Sequence, residues 1–353
     1  MRIEIYYTIP PHTFSWGLPG RSEMKNFYEW QYGLRDKINE VNFRLLESIK
    51  TDQSYLFDMA KYTIDAGGKR FRPLLTILSY EISCNESYKK ILDLAAGYEL
   101  IHTASLIHDD IIDKSKYRRG RETLSSRDGI DNAIVVGDYL FAKAYELGSR
   151  YGKEVSKVMA DGSSHLAEGQ IIESLNIGNL SLDIETYNNI IKNKTAYFFS
   201  ACAEGATIAA MASPDVRKKL SAFAYNMGMA FQITDDILDI VGNEKEMGKP
   251  TMVDLNHDVI TLPIIHALTN ASEGNKKILI TILTGKYKED DYKSKFRHIL
   301  FKTGSLEYAF KVAKDYILKS VDNLNGIGRS DDLGLLMDLA LIVVDRINES
   351  GVI

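Results

Sequence analysis

The chain has 353 residues, 45% of them hydrophobic and 26% charged, and a net charge of −5. That balance is enough for one large buried core and argues against a nucleic-acid surface, which needs a basic face. Cys84 and Cys202 have no metal-ligand spacing and no run of 18 apolar residues occurs, so a disulfide scaffold, a zinc site and a membrane span are all disfavoured and a reducing, cytoplasmic setting is expected.

Residues 1–20 hold three of the seven prolines, Pro10, Pro11 and Pro19, and read as an N-terminal arm ahead of one domain over 21–353. Helical patterning starts near Ser22, and Val41, Leu45, Leu46 and Ile49 form an apolar stripe that reads as core or dimer surface. No proline lies between Leu74 and Ser213, which favours long helices and a single all-α unit. In Gly67-Gly68-Lys69-Arg70-Phe71-Arg72-Pro73, two glycines allow close backbone approach. Three cations in four positions call for an anion or for solvent.

An apolar run from about Ile91 ends in His108-Asp109-Asp110-Ile-Ile-Asp113, followed by Arg118-Arg119-Gly120. On a helix, Asp109 and Asp113 share one face while Asp110 lies about 100° round. The same Asp-Asp-x-x-Asp spacing returns at Asp235, Asp236 and Asp239, again in apolar context and with Lys249 after it. Two carboxylates about 4 Å apart repel by about 1 kcal/mol in water and about 4 kcal/mol near a protein surface, so each cluster needs a cation. An all-oxygen ligand set selects a hard ion, and Mg²⁺ takes one or two carboxylates and completes its shell with water and phosphate. The implied partner is a Mg²⁺-bound phosphate or diphosphate. The chain has neither a Walker-type glycine loop nor Gly-x-Gly-x-x-Gly, which disfavours nucleotide chemistry.

Further along, Ile134 to Phe141 reads as helix, with Phe141 and Tyr145 as structural aromatics that can also reach a tunnel. Glu168-Gly-Gln170 and Glu173 follow, and then Lys194-Thr195 ahead of an apolar helix, Ala196 to Met211. A solvated cation at that helix start would oppose the helix dipole. Gly242 to Pro250, with Lys249, reads as a loop able to fold over a site. Both cysteines read as buried fillers, and Leu268 to Ile353 shows helix-like stripes without a site signal.

The glycine-cation stretch, both aspartate clusters, Gly137-Asp-Tyr139, Glu168-Gly-Gln170, Lys194-Thr195 and Gly248-Lys-Pro250 occur in an order that resembles the trans-isoprenyl diphosphate synthases, over most of the chain. The resemblance implies the isoprenoid synthase fold, one all-helical domain around a deep central cavity, as a homodimer. It assigns the isopentenyl diphosphate site to Lys69, Arg72, His102 and Arg119. The allylic diphosphate falls to Lys194, Lys249 and Arg118, with Thr195, Gln170 and Gln232 as polar contacts. It gives two or three Mg²⁺ per active site to Asp109, Asp110, Asp113, Asp235, Asp236 and Asp239. The expected reaction joins isopentenyl diphosphate head-to-tail to an allylic diphosphate, without a side-chain nucleophile.

Two departures stand out. Glu173 replaces the usual aspartate of Gln-x-x-Asp, and Asp258-Val259 replace a Gly-Lys pair, which removes one cation. Short-chain members commonly carry an aromatic at one of the two positions four and five residues before the first aspartate; here they are Ala104 and Ser105. The tunnel is therefore expected to continue to a deeper floor, Tyr98 or Phe141, and the product to be a long-chain polyprenyl diphosphate. Tyr98 lies eleven residues before Asp109 on nearly the same face, about 16 Å lower. A terpene cyclase lacks this second cluster, a head-to-head enzyme lacks the glycine-cation motif, and a non-catalytic subunit typically loses acids that this chain keeps.

Overall fold

The computed structural model describes residues 34–84, 86–242, 251–328 and 330–349. Residues 1–20, Lys249 and its flanking Gly248 and Pro250 lie outside the described residues.

Apolar periodicity gives helices almost throughout. Helices α1 (Arg35–Ser48), α2 (Ser54–Asp65) and α3 (Phe71–Ser83) lead into α4 (Leu92–Ile112). Every residue of α4 from Leu94 to Ile101 is buried, so this helix is enclosed on all sides and lies at the centre of the core. It ends at Asp113, whose backbone N–H returns to the Asp109 carbonyl at 2.8 Å, so the first acidic cluster sits on its last turn. Val41, Leu45 and Ile49 of the expected stripe are buried core.

A two-stranded antiparallel hairpin, β1 (Tyr117–Arg118) and β2 (Arg121–Glu122), interrupts the helices. Its two turn residues, Arg119 and Gly120, both have positive φ, 52° and 73°, which matches the right-handed twist of the strands. Then come α5 (Leu124–Asp128), α6 (Ile130–Ser149) and α7 (Gly152–Leu175). α8 (Ile184–Ile191) runs through a π-helical turn, Lys192–Ala196, into α9 (Tyr197–Ala209).

The longest helix, α10 (Pro214–Val241), starts with Ser213 capping the Val216 N–H and carries the second acidic cluster near its end. Short α11 (Val253–Asn256) follows, then α12 (Leu262–Asn270), α13 (Glu273–Leu283), α14 (Tyr292–Lys302), α15 (Ser305–Asp322) and α16 (Asp331–Glu349). No helix among the described residues is long and apolar enough to cross a membrane. Of the two cysteines, Cys202 is the buried filler expected, whereas Cys84 is half-buried at the end of α3, outside the helix interior.

Candidate active site

The six aspartates are not equivalent. Asp110 accepts a hydrogen bond from Arg118 Nε at 2.7 Å, so hairpin and helix end are tied together. Buried Asp236 is occupied on both oxygens, by Tyr187 O–H at 2.5 Å and by Gln232 Nε2 at 3.0 Å. Gln232 in turn accepts from Thr195 Oγ1 at 2.8 Å, so Thr195, Gln232, Asp236 and Tyr187 form one chain across α8, the π turn and α10. Asp239 receives the N–H groups of Val253 and Asp254 at 3.2 and 3.1 Å, which starts α11. Asp109 and Asp113 have no side-chain hydrogen bond or ion pair among the described residues.

Asp235 faces a cation that was not foreseen. Arg346, on α16, places Nη2 2.8 Å from Asp235 Oδ1 and lies over the Phe231 ring at 5.3 Å. The C-terminal region, read from sequence as free of site signal, therefore does reach the site. The available signal was an arginine two residues after a buried apolar run, Leu339 to Val344.

Lys194 also departs from expectation. It does not open a helix; it sits inside the π turn that joins α8 to α9. Such turns widen a helix locally and are frequent at functional positions. Two glycines permit it: a β-carbon at position 169 on α7 would lie 2.3 Å from the Lys194 backbone nitrogen, and one at 228 on α10 would lie 2.7 Å from Ala196 Cα. The turn is thus wedged between α7 and α10. Lys194 pairs with Glu173, and despite burial its ammonium is held above the ordinary lysine range by Glu173 and Asp109. The extra methylene of Glu173 reaches a cation of the same cleft.

This ion pair links the two acidic clusters. Burial pushes Asp109 up to about 6, with Lys194 and Arg118 opposing the shift and Asp113 and Glu173 adding to it. Burial also raises Asp236, Tyr187 and Gln232 oppose that, and Asp235 and Glu173 reinforce it. Glu173 is therefore close enough to act on both clusters. Among the described residues no three acidic, histidine or cysteine side chains converge tightly enough to hold a metal ion by themselves. The donors are carboxylate oxygens, which suits a hard ion whose shell a substrate phosphate completes.

The remaining basic residues gather at the other end of the hairpin. Arg72 is buried with its guanidinium 4.6 Å from the Phe199 ring, and its Nε has no hydrogen-bond partner. Exposed Lys69 precedes it, and Arg119 donates to the Gly67 carbonyl. His102 is held well below the usual histidine range by burial and then by Arg72, Arg119, Arg118 and Arg70. It is therefore neutral at pH 7 and offers a hydrogen bond, with no added charge. Gln170, one turn before Glu173, keeps Oε1 buried without a partner.

Below the first cluster, Ala104 is fully buried and Ser105 Oγ turns back to the His102 carbonyl at 2.9 Å. Tyr98 is fully buried, with its hydroxyl on the Ala201 carbonyl at 2.6 Å and its ring edge-on to Phe198. Phe141 lies beside His108, ring centroids 5.8 Å apart. At the Gly-Lys replacement, Asp258 keeps a glycine-like backbone, φ 56°, and its carbonyl accepts from the Gly178 N–H at 2.8 Å. The loop is held by that bond, with Val259 in place of a cation.

A model of the polyprenyl synthetase family matches residues 53–300. The chain is 36% identical over 299 residues to a geranylgeranyl diphosphate synthase of Saccharolobus solfataricus, covering 82% of this chain and 89% of that one. It is 31% identical over 312 residues to an octaprenyl diphosphate synthase of Haemophilus influenzae, covering 88% and 94%. A polyprenyl synthase of Caulobacter crescentus CB15, solved with calcium and isoprenyl diphosphate, superimposes with a TM-score of 0.86 at 28% identity over 93% of this chain and 99% of that one. The chain belongs to the polyprenyl synthetase family of trans-isoprenyl diphosphate synthases and has its all-α fold. It is a prenyltransferase.

Proposed function

We propose that the protein joins isopentenyl diphosphate head-to-tail to an allylic diphosphate and makes a long-chain all-trans polyprenyl diphosphate. The observation that carries this is the Lys194–Glu173 pair coupled to both acidic clusters, beside a separate nest of Arg72, Arg119 and His102. Two anion sites of different character suit two diphosphates with different fates.

Asp109 and Asp113, which have no side-chain hydrogen bond or ion pair among the described residues, would hold Mg²⁺ together with Asp235, which is paired with Arg346. Asp110, Asp236 and Asp239 keep the walls in place. When bound, Mg²⁺ supplies positive charge to a departing diphosphate. Lys194 and Arg118 orient the allylic diphosphate and stabilise the charge that grows on it as its C–O bond breaks. Lys69, Arg72, His102 and Arg119 hold the isopentenyl diphosphate so that its double bond meets the allylic cation. The proton lost afterwards passes to the released diphosphate. Ala104 and Ser105 leave room for the chain to descend, with Tyr98 as the floor. A second copy of the chain is the expected partner. It would cover Ile130, Ile134 and Val135 on α6 with Ile171 and Leu175 on α7, large apolar side chains left exposed.

The test is to incubate the protein with Mg²⁺, labelled isopentenyl diphosphate and several allylic primers, and to size the dephosphorylated products. Chains beyond twenty carbons are expected; a product confined to twenty carbons or fewer contradicts the long-chain reading, and no incorporation contradicts the reaction.

Stability should depend on metal and pH together. Asp109 titrates at about 6 in the folded protein, above the ordinary 3.8, so the folded state holds this proton more tightly than the unfolded state. Its contribution to stability therefore falls as pH rises through that window, and the penalty is complete above about 6. A cation that binds the ionised carboxylate removes the penalty. The rise in Tm on adding Mg²⁺ and inorganic diphosphate should be larger at pH 7.5 than at pH 5; scanning calorimetry at the two values checks it, and equal rises contradict it.

A further inference from the structure

We infer that Arg70, the cation between the two assigned to isopentenyl diphosphate, is a positioning residue that sets the shape of that subsite without touching the substrate; this rests on the function proposed above. Arg70 is 6% exposed and its backbone is left-handed, φ 54°, a conformation that costs an ordinary side chain energy. Its guanidinium is used on every side. Nε donates to Asn42 Oδ1 at 2.8 Å, Nη1 to Glu99 Oε1 at 2.8 Å and to the Gly67 carbonyl at 3.3 Å, and Nη2 to the Ile64 carbonyl at 3.3 Å. These partners lie on α1, on α4 one turn before His102, on the last turn of α2, and on the loop that carries Gly67 and Lys69.

The Gly67 carbonyl also accepts from Arg119. One peptide oxygen therefore joins buried Arg70 to a guanidinium of the anion site. Gly68 fits between them: a β-carbon there would lie 3.0 Å from Arg119 Nη1 and 3.1 Å from Arg70 Nη1, on a backbone with φ 149°. Glu99 offsets the charge of Arg70, so Arg70 adds little net attraction for an anion. A buried ion pair of this kind is weak evidence for stability in itself. What this one provides is a fixed fork that holds loop, hairpin turn and α4 in one register, as only a planar guanidinium with several donors can.

The test compares Michaelis constants. Removing Arg70 alone would strand Glu99, so the main variant is Arg70→Met with Glu99→Leu, in which an apolar pair fills the same space. The KM for isopentenyl diphosphate should rise at least about tenfold, as loss of positioning at one subsite predicts, while the KM for the allylic diphosphate stays within about twofold. Arg70→Lys keeps the charge opposite Glu99 but not the fork, and should fall between wild type and the double variant. Gly68→Ala keeps the Arg70–Glu99 pair, crowds both guanidiniums and should raise the same constant, so the inference stays testable if the double variant does not fold. Equal changes in both Michaelis constants, or none in either, overturn it. A wild-type protein that does not incorporate isopentenyl diphosphate overturns the proposed function instead.

Discussion

Asp109→Asn should lower kcat by on the order of 10²- to 10³-fold, the loss typical when one electrostatic stabiliser of a developing anion is removed. The variant should fold normally, because Asp109 has no side-chain hydrogen bond among the described residues to lose and burial already opposes its charge. Asp239→Ala should behave differently. Its carboxylate holds the Val253 and Asp254 amides, so the change should cost about 1 kcal/mol or more of stability through the lost cap, and activity only through the displaced loop. Steady-state rates and thermal melts of the two variants, measured together, separate the roles. If both lose activity equally with no change in Tm, the division of the clusters into metal-facing and scaffold carboxylates is wrong.

The second large effect concerns product length. Ala104→Phe should shorten the product to twenty carbons or fewer, because it places a ring about 7.5 Å below Asp109 on the same helix, five residues at about 1.5 Å each. The melting temperature carries a second signal. If Ala104 borders an open shaft, the ring enters free space and Tm changes little; if it is packed, overfilling costs about 1 to 3 kcal/mol. Tyr98 should prove a firm floor, since its hydroxyl and ring are both engaged. Product sizing by chromatography, beside the melt, decides the matter; an unchanged chain length with a lowered Tm would remove Ala104 from the shaft.

Much of the fold was legible because it is written in local pattern. The proline-free span and the mostly apolar run from about Ile91 announce long helices, and the repeated Asp-Asp-x-x-Asp spacing announces two acidic clusters. Which carboxylates are free was not legible. Tyr187, Gln232, Arg118 and the first amides of α11 decide that, and they reach the clusters only through tertiary packing. The π turn at Lys194 was equally hidden. It exists because Gly169 and Gly228 admit its backbone on both sides, and neither glycine signals this in its own stretch. Arg346 was missed for a related reason: a lone arginine at the end of an apolar helix looks like a surface residue until α16 is packed beside α10.

The proposed function has two acidic walls grip one diphosphate through divalent ions. It is tested most directly by counting bound Mn²⁺ by electron paramagnetic resonance, with and without a non-ionisable allylic diphosphate analogue, in wild type, Asp109→Asn and Asp235→Asn. The expected result is weak binding to the free protein, tight binding of two or three ions once the analogue is present, and loss of the tight ions in both variants. Ions held equally tightly without the analogue, or retained in full by both variants, would contradict it.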